Sequence, residues 1–522
     1  MDAVLGQTTA HGRRQKLRTV TEGLDLKDVY GSTLERIKAQ GGEKTRLGMA
    51  ALMWVSHAER LLQLDELLNA LAVEIGSTDL NAENIPSAET LLSCCLGLVI
   101  VDRGASTVRL IHFTLQEYLF TCPDLFGQAH SIMAETCLTY LNFETIKDIS
   151  SARFIPPRPI SVLNYSSLYW GVHARREAAR GVVPLALQLF SQVETHISTK
   201  LLLIDNISKV DRHRGVPTDS PLIGFTGLHC ASLFGITQIA TSLIEQPNCD
   251  LNKGDFLGIT PLIWAVVCGQ EEIVKLLLGR PTINPDKPDT GYRLTALSRA
   301  AKMGHEGIVR LLLERASAKP NGTDGWWGKA PRVVNMVRGR RYDVNPNWTD
   351  ACHRTPILWA SAEGHGGVVK LLLGRKDVEP DMQDYFGQTP LWSAAGKGHY
   401  GVVELLLERE DVNPNIQDDG GQTPLSRAVE GGHEGVAKLL LGREDVNPNI
   451  QDNSGRTPLS KAAEDGHEGA VELLLGRGDV DPDMPDNDGL TPLWLAATNS
   501  RTGVVGLLQA RKSANTNPAW SR

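Results

Sequence analysis

A period of roughly 34 residues, which lies in the range of known helical repeats, constrains the fold of this chain more than any other feature. From residue 226 onward, threonine followed by proline and leucine, or a close variant, recurs at Thr226, Thr260, Thr295, Thr355, Thr389, Thr423, Thr457 and Thr491. Every step is close to the period except the one from Thr295 to Thr355, which is nearly twice as long. A unit this short cannot bury its own apolar face, so the units must stack into a solenoid.

Each unit carries the signals of two helices and a connecting turn. The Thr-Pro pair predicts a helix start, because threonine caps free amides and proline suits the first helical position. Gly398, Gly432 and Gly466 predict the end of that first helix. The aliphatic run at residues 402–407 predicts a second helix. The segment at residues 411–418, rich in Asn, Asp and Pro, predicts an extended hairpin to the next unit.

These motifs closely resemble the ankyrin repeat over residues 216–512, which is more than half of the chain. The resemblance implies eight full units. We interpret the long step from Thr295 to Thr355 as an eroded repeat near residues 324–347 rather than as an inserted domain. The last unit has Thr-Asn-Ser-Arg at residues 498–501 in place of the usual Gly-His turn, which predicts a C-terminal cap, with residues 513–522 as a tail.

One variable position suggests a binding surface. In the ankyrin family, the fourth residue after each threonine is taken to face the concave groove, and exposed Trp and Arg are typical of interaction hot spots. We therefore expect the groove to bind an acidic or aromatic-bearing protein segment. Packing of Trp264 and Trp359 against neighbouring repeats remains the alternative, and Trp392 and Trp494, one position earlier, are expected to be packed. The predicted protein-binding stripe is Trp264, Arg299, Trp359, Ser393, Arg427 and Lys461.

Catalytic and metal chemistry have no support in the sequence. The Gly-His histidines recur at His305, His365, His399, His433 and His467. Stacked helices lie about 8–10 Å apart, whereas Zn–N bonds are about 2 Å, so one ion could not bridge two units. We expect these histidines to bond local backbone, and the adjacent Cys94 and Cys95 to be buried thiols. We predict no enzyme, no cofactor and no metal.

The N-terminal half predicts helices followed by a hairpin. That order is typical of a winged-helix domain, which we place at residues 24–122. Residues 1–23 before it are a disordered or residual N-terminal segment, and residues 123–215 after it are a helical linker. The predicted fold is therefore mainly α: a winged-helix-like module and a helical linker, then an ankyrin-repeat solenoid. The predicted elements are helices at 24–40, at 49–58, from 64 and from 87, a hairpin at 98–101 and 108–111, and a helix at 113–120.

A second resemblance lies in this half. Residues 54–67, 95–99 and 112–119 resemble the segment after the NACHT nucleotide-binding module of fungal NACHT–ankyrin proteins, relatives of NOD-like receptors, and residues 170–175 resemble their helical linker. The phosphate-loop motif G-x-x-x-x-G-K-[ST] is absent. The resemblance implies the ligand-sensing half of such a signalling protein, an adaptor without a nucleotide switch. The alternative is a fragment or incomplete gene model of an ATP-dependent receptor.

Charge and composition bear on the remaining function classes. A DNA-binding regulator would use the winged helix, yet the helix from Ser87 carries Glu89 and no Lys or Arg up to residue 96, although DNA affinity comes largely from basic residues. The net charge is −8, and no apolar run approaches the roughly 20 residues of a membrane span. We expect a protein or peptide partner, no nucleic acid, no membrane, and a cytoplasmic location with nuclear import as an alternative.

Overall fold

The computed structural model describes residues 26–102, 104–149, 161–177, 181–209, 222–315 and 344–516. These residues are mainly helical, as predicted, and the chain divides into two compact units. The first unit contains residues 1–227 and 236–246, and the second contains residues 228–235 and 247–522. The division thus falls inside the first predicted repeat. Among the described residues, no helix is long and apolar enough to cross a membrane.

The winged-helix elements of the first unit follow the predicted order. Ser87 caps its helix by accepting a hydrogen bond from Thr90 N at 3.1 Å. The three antiparallel strands pair in the order β1-β3-β2, and the two-residue β1 is too short to show a sequence pattern. The elements are α1 (Leu26–Lys38), α2 (Gly42–His57), β1 (Leu62–Gln63), α3 (Leu64–Ala72), α4 (Ala88–Cys94), β2 (Val99–Asp102), β3 (Thr107–Leu110) and α5 (Phe113–Phe120).

Five helices continue the first unit. Helices α6 and α8 pack against each other, and their contact face buries Cys137, Leu138, Tyr165 and Trp170 almost completely. The helices are α6 (Ala129–Leu141), α7 (Glu144–Lys147), α8 (Leu163–Arg176), α9 (Val182–Phe190) and α10 (Ile197–Asn206).

The remaining helices come in pairs at the repeat period. Thr423 shows the typical start: its hydroxyl accepts from Ser426 N at 3.2 Å, and proline fills the first helical position. Gly398 and Gly432 end their helices with φ of 72° and 69°, a conformation that favours glycine. The pairs are α11 (Gly227–Phe234) and α12 (Thr237–Ile244); α13 (Pro261–Val267) and α14 (Glu271–Leu278); α15 (Ala296–Met303) and α16 (Glu306–Glu314); α17 (Pro356–Glu363) and α18 (Gly366–Leu373); α19 (Pro390–Gly396) and α20 (Tyr400–Leu407); α21 (Pro424–Glu430) and α22 (Glu434–Leu441); α23 (Pro458–Asp465) and α24 (Glu468–Leu475); α25 (Pro492–Thr498) and α26 (Thr502–Thr516).

The Gly-His histidines join consecutive repeats. His433 Nε2 lies 3.2 Å from the carbonyl oxygen of Gly396, and His467 Nε2 lies 3.1 Å from that of Glu430. The partner is therefore the backbone of the preceding unit and not the local turn that we expected from the sequence. In the last unit, Arg501 replaces the histidine and donates from Nε to Glu464 O at 3.0 Å.

An arginine after the second helix of several units provides another link between units. Arg477 forms two bonds to the Asp479 carboxylate and donates from a third nitrogen to Leu441 O at 2.9 Å. Leu441 is the last residue of α22, so the arginine satisfies a carbonyl that a helix end leaves free. Arg443 makes the same bonds to Asp445 and Leu407.

The long step from Thr295 to Thr355 does not add a layer to the stack. Helices α15 and α17 contact each other directly, as do α16 and α18. His365 Nε2 approaches Lys302 O, 63 residues earlier, where the equivalent bond elsewhere spans 37 residues. The surplus is extra chain between two adjacent repeats. Most of the segment that we interpreted as an eroded repeat lies outside the described residues, and so does the predicted tail from residue 517.

Asparagine side chains link the connecting segments of consecutive units. Asn415 donates from Nδ2 to Asp445 O at 2.6 Å and accepts from Asn447 N at 2.9 Å. Asn449 repeats both bonds one unit later. At the equivalent position one unit earlier stands Asp381, whose Oδ2 accepts from Asn413 N at 2.8 Å while its buried Oδ1 has no hydrogen-bond partner. A carboxylate cannot donate the second bond of this pair.

Candidate protein-interaction surface of the repeat array

The predicted stripe does not form a continuous exposed surface. Trp264, Arg299, Ser393 and Lys461 are 0%, 5%, 6% and 8% exposed, so the exposure that we expected is wrong at these four positions. Trp359 and Arg427 are half-buried. Of the two tryptophans expected to be packed, Trp392 is half-buried, whereas Trp494 is 49% exposed. The surface available to a partner at this position is therefore small.

The buried stripe residues bond to an aspartate in the hairpin before their helix. Trp264 Nε1 donates to Asp255 Oδ2 at 2.9 Å, and Lys461 Nζ lies 2.9 Å from Asp452 Oδ2. The other oxygen of Asp255 accepts two backbone amides that close the hairpin tip. Burial raises the pKa of Asp255, and the hydrogen bond from Trp264 opposes that shift. The position thus selects N–H donors to satisfy a buried carboxylate.

Arg299 and Trp359 follow the same rule. Arg299 lies 2.8 Å from Asp289 Oδ2, and the two side chains are 6% and 3% exposed. Trp359 Nε1 donates to Asp350 Oδ2 at 3.0 Å. Tryptophan, arginine and lysine can each occupy this position because each can donate to the hairpin aspartate. The position therefore varies between units, as a recognition surface would.

Ser393 is too short to reach its aspartate, and another arginine takes the place of the missing donor. Arg354, in the hairpin of the preceding unit, approaches Asp384 Oδ2 to 3.4 Å. Arg427 also differs from the stripe residues that bond to a hairpin aspartate. Its guanidinium pairs with Glu430 at 2.6 Å and lies 4.9 Å from the centroid of the Trp392 ring.

The ring of half-buried Trp359 has two cations close to it. The Lys302 ammonium lies 4.0 Å from its ring centroid and the Arg354 guanidinium 4.9 Å. Burial and the nearby charges of Arg299 and Arg354 lower the pKa of Lys302, whereas Glu363 raises it. We call Lys302, Trp359 and Arg354 the cationic tryptophan site. The site also contains acidic groups, because Asp384 pairs with Arg354 and both Glu363 and Asp350 lie close enough to raise the pKa of Lys302.

Exposed aromatic side chains cluster at the adjoining hairpin tips. Tyr385, Phe386 and Tyr292 are 68%, 50% and 40% exposed. The rings of Tyr385 and Phe386 meet edge to face with centroids 5.6 Å apart, and exposed His353 approaches Tyr385 at 6.3 Å. We call Tyr292, His353, Tyr385 and Phe386 the aromatic ridge. Because His353 and Arg354 are consecutive, the ridge adjoins the cationic tryptophan site.

Backbone bonds between consecutive tips hold the ridge together. Ala351 N donates to Tyr292 O at 2.8 Å, and Tyr385 N donates to Cys352 O at 2.9 Å. The same linkage continues from Asp419 N to Phe386 O. Each tip closes as a tight turn, as in the bond from Asp384 N to Gln388 O at 3.0 Å. The aromatic rings therefore stand on a rigid backbone, which limits the entropy that binding would cost.

The sequence contains a signal for the ridge that the stripe prediction overlooked. The two residues after the hairpin aspartate are Tyr385 and Phe386 in one unit, but Asp419 and Gly420 in the next. The following tips carry Asn-Ser at 453–454 and Asn-Asp at 487–488. Large aromatic residues at a tip whose three following counterparts carry small or polar ones indicate a local function, since exposed apolar clusters mark interaction sites.

The cysteines show no sign of an activated nucleophile. Cys94 and Cys95 are fully buried, and burial raises the pKa of Cys95 to about 12. Such a thiol stays protonated, whereas reactive cysteines have lowered pKa values and partial exposure. All eight cysteines are free thiols.

Comparison with known families agrees with this architecture. A family model of ankyrin repeats, which contains three copies of the repeat, matches residues 192–289, 228–324, 330–418, 357–452 and 425–518. They span more than half of the chain, which therefore belongs to the ankyrin repeat family. Within that class, this chain also carries a winged helix: residues 34–127 match the winged helix domain of GPI inositol-deacylase. No curated protein matches the chain as a relative.

Proposed function

We propose that this protein is an interaction scaffold that binds an acidic protein segment carrying an aromatic or aliphatic side chain. The apolar side chain contacts the aromatic ridge, and the acidic groups contact the cationic tryptophan site. The observation that carries the proposal is the concentration of exposed aromatic rings on adjoining hairpin tips beside two half-buried cations. Ankyrin repeats generally serve protein–protein binding, which supports a binding role for this surface.

The chemistry of the partner follows from the contacts. Tyr385 and Phe386 offer broad apolar area at little rotamer cost, which is why tyrosine and other aromatics are enriched at binding surfaces. Lys302 and Arg354 can attract a further carboxylate, in competition with the Asp350 and Asp384 carboxylates already beside them. A basic segment would meet these cations unfavourably, so charge excludes it.

Peptide selection with the full chain tests the proposal. The immobilised protein is used to select from a displayed random peptide library, and the affinity of each selected peptide is measured by calorimetry. We expect peptides with acidic residues flanking an aromatic or aliphatic anchor. Tyr385→Ser together with Phe386→Ser should weaken their binding at least tenfold, because hot-spot aromatics typically contribute about 2 kcal/mol or more.

Tyr400→Ser provides a matched control. Tyr400 is 47% exposed and lies at the start of α20, away from the hairpin tips. Its replacement should leave peptide affinity unchanged. Equal affinity of the wild-type protein and the Tyr385/Phe386 variant would refute the assignment of the site. Selection of mainly basic peptides would refute the proposed partner chemistry.

We further propose that the scaffold is a cytoplasmic signalling adaptor of the NACHT–ankyrin type. The winged-helix match and its position before the repeats support this assignment. A fragment of an ATP-dependent receptor is the competing identity. Mapping the 5′ end of the transcript distinguishes them, because an upstream exon encoding a phosphate loop would make this chain the sensor half of a larger protein.

The DNA-binding alternative gains no support from the winged helix. Helix α4 presents Glu89 and no basic side chain. The sequence also has a basic run, Arg-Gly-Arg-Arg at residues 338–341, of a kind that can serve nuclear import, and it lies outside the described residues. A salt-dependent affinity for duplex DNA would be needed to revive this alternative.

A further inference from the structure

Two histidines and a glutamate meet between the winged-helix and linker helices of the first unit. His130 lies on α6, His173 on α8, and Glu59 follows the end of α2. One ligand atom from each of the three lies within 4.8 Å of the others. The closest pair is His130 Nδ1 and His173 Nδ1, at 2.8 Å. Neither the proposed peptide binding nor the stacking of the repeats involves this cluster.

Tyr165 fixes the orientation of the His173 ring. Its hydroxyl lies 2.9 Å from His173 Nε2, and Glu59 N donates to the same oxygen at 3.2 Å. When His173 Nε2–H also donates to this oxygen, His173 Nδ1 is left with a free lone pair directed at His130. A histidine whose second nitrogen donates to a fixed oxygen is the usual arrangement around protein-bound metals.

Burial disfavours the charged form of both imidazoles. Together with the positive charge of Arg176, it lowers the pKa of His130 to about 4 and that of His173 to about 3. His57 adds a third neighbouring ring, with its centroid 5.4 Å from that of His130, and Glu177 contributes a second nearby negative charge.

A pocket reaches two members of the cluster, Glu59 and His130, whereas His173 lies behind them and is fully buried. The volume of the pocket is about 220 Å³, and its lining includes Ser56, Glu59, Gln116, His130 and Arg176. This space gives an ion a path to the cluster and leaves room for water ligands. A site with three protein ligands and an open position is common for zinc.

We propose that Glu59, His130 and His173 form a binding site for one divalent transition-metal ion of the zinc type. The ion binds Nδ1 of both histidines and a carboxylate oxygen of Glu59, and water completes the coordination. The proton shared between the two Nδ1 atoms then resides on Nε2 of His130. With bonds of about 2 Å, tetrahedral ligands lie about 3.3 Å apart, so the histidines need to separate by about 0.5 Å and to turn until both Nδ1 lone pairs point at the ion.

Arg176 opposes the ion and so supplies a diagnostic variant. Its guanidinium pairs with Glu59 at 2.5 Å and would repel a dication. The arginine side chain is 50% exposed, so it can turn into solvent when the ion binds. Removing its charge should therefore strengthen metal binding, an effect that a merely structural histidine pair would not produce.

Zinc titration of the full-length protein tests the site. The protein is first treated with a chelator, and Zn²⁺ is then added in competition with a chromophoric chelator. We expect one site per chain, weakened at least tenfold by His130→Gln, His173→Gln or Glu59→Gln. Arg176→Gln should tighten it. His433→Gln, in the repeat array, is the control and should bind zinc like the wild type.

A cobalt spectrum of the unaltered protein keeps the test independent of how the variants fold. Co²⁺ bound by nitrogen and oxygen lacks the near-ultraviolet charge-transfer band of thiolate ligands, so it is distinguished from binding at the free cysteines. The proposal is overturned if the wild type binds no zinc, if His130→Gln and His173→Gln retain full affinity, or if the cobalt spectrum shows thiolate ligation. Loss of zinc binding in the folded Glu59→Gln protein supports it even where a histidine variant unfolds.

Discussion

Replacing Asp381 by asparagine should stabilise the repeat array. In the equivalent position of the next unit, Asn415 donates to Asp445 O and accepts from Asn447 N. Asp381 makes only the accepting bond, to Asn413 N, and its buried Oδ1 lacks a partner. By the spacing of the other units, the unused acceptor is the carbonyl oxygen of Asp411, which the amide introduced by Asp381→Asn would reach.

The expected gain is about 1 kcal/mol at pH 7, because a new hydrogen bond contributes about 0.5–1.5 kcal/mol net. Removing the carboxylate relieves repulsion by Asp411 but loses the attraction of Arg409 and Arg443, so these charge effects partly cancel. We therefore assign the gain mainly to the bond. The converse change, Asn415→Asp, should destabilise the protein by a similar amount.

The pH dependence follows from the pKa of Asp381, which burial raises above its usual 3.8. Between 3.8 and the raised value, the native state binds more protons than the unfolded state. The stabilising contribution of this carboxyl is therefore complete below pH 3.8 and is lost as the pH rises through the folded-state pKa. The advantage of Asp381→Asn should accordingly be present at pH 7 and shrink toward pH 4.

Urea denaturation followed by circular dichroism measures these changes. A shift of the midpoint at constant slope reports stability alone, and the slope must be compared because stacked repeats do not always unfold in a single step. A neutral or destabilising effect of Asp381→Asn at pH 7 would contradict the reasoning, as would an unchanged midpoint for Asn415→Asp.

Three further substitutions test other contacts by the same assay. Arg299→Ala leaves the Asp289 carboxylate buried without its cation and should cost about 3–5 kcal/mol; if adding Asp289→Asn recovers none of it, the pairing is not the cause. Thr423→Ala removes a helix cap and should cost about 1 kcal/mol, whereas Thr423→Ser should be nearly neutral. Gly398→Ala places a methyl group 2.6 Å from a histidine ring at φ 72° and should destabilise; Gly401→Ala, with nothing within 4 Å, should not.

Local signals were sufficient to predict the repeat helices. Thr-Pro caps, glycine ends and aliphatic runs each act within a few residues, so the positions of Thr423 and Gly432 could be read directly from the sequence. The winged-helix elements followed for the same reason, with Ser87 as the cap of α4. The two-residue strand at residues 62–63 could not be predicted, because only its pairing with β3 makes it a strand.

The exposure expected of the stripe was wrong at four positions because a variable position can have two causes. A position changes when partners differ, and it also changes when several side chains satisfy the same buried group. Trp264 and Lys461 differ in shape and charge, yet each supplies an N–H donor to a hairpin aspartate. The acceptor lies close by in the sequence, but its burial becomes visible only in the folded structure.

The metal-binding cluster depends on contacts that the sequence does not reveal. Glu59, His130 and His173 lie far apart along the chain, and no spacing motif connects them. Packing of α6 against α8 brings the two histidines together. The aromatic ridge could be predicted only in part. The residues of each tip follow one another in the sequence, but the tips become neighbours only when the repeats stack.

Helices α15 and α17 stack directly on each other, although they are not linked by a connection of the usual length. The helices on either side contact each other as those of consecutive units do elsewhere, although more chain separates them in the sequence. The contacts between the described helices therefore do not fix the chain length at this junction, which is the place to try first when the array is to be split into two pieces.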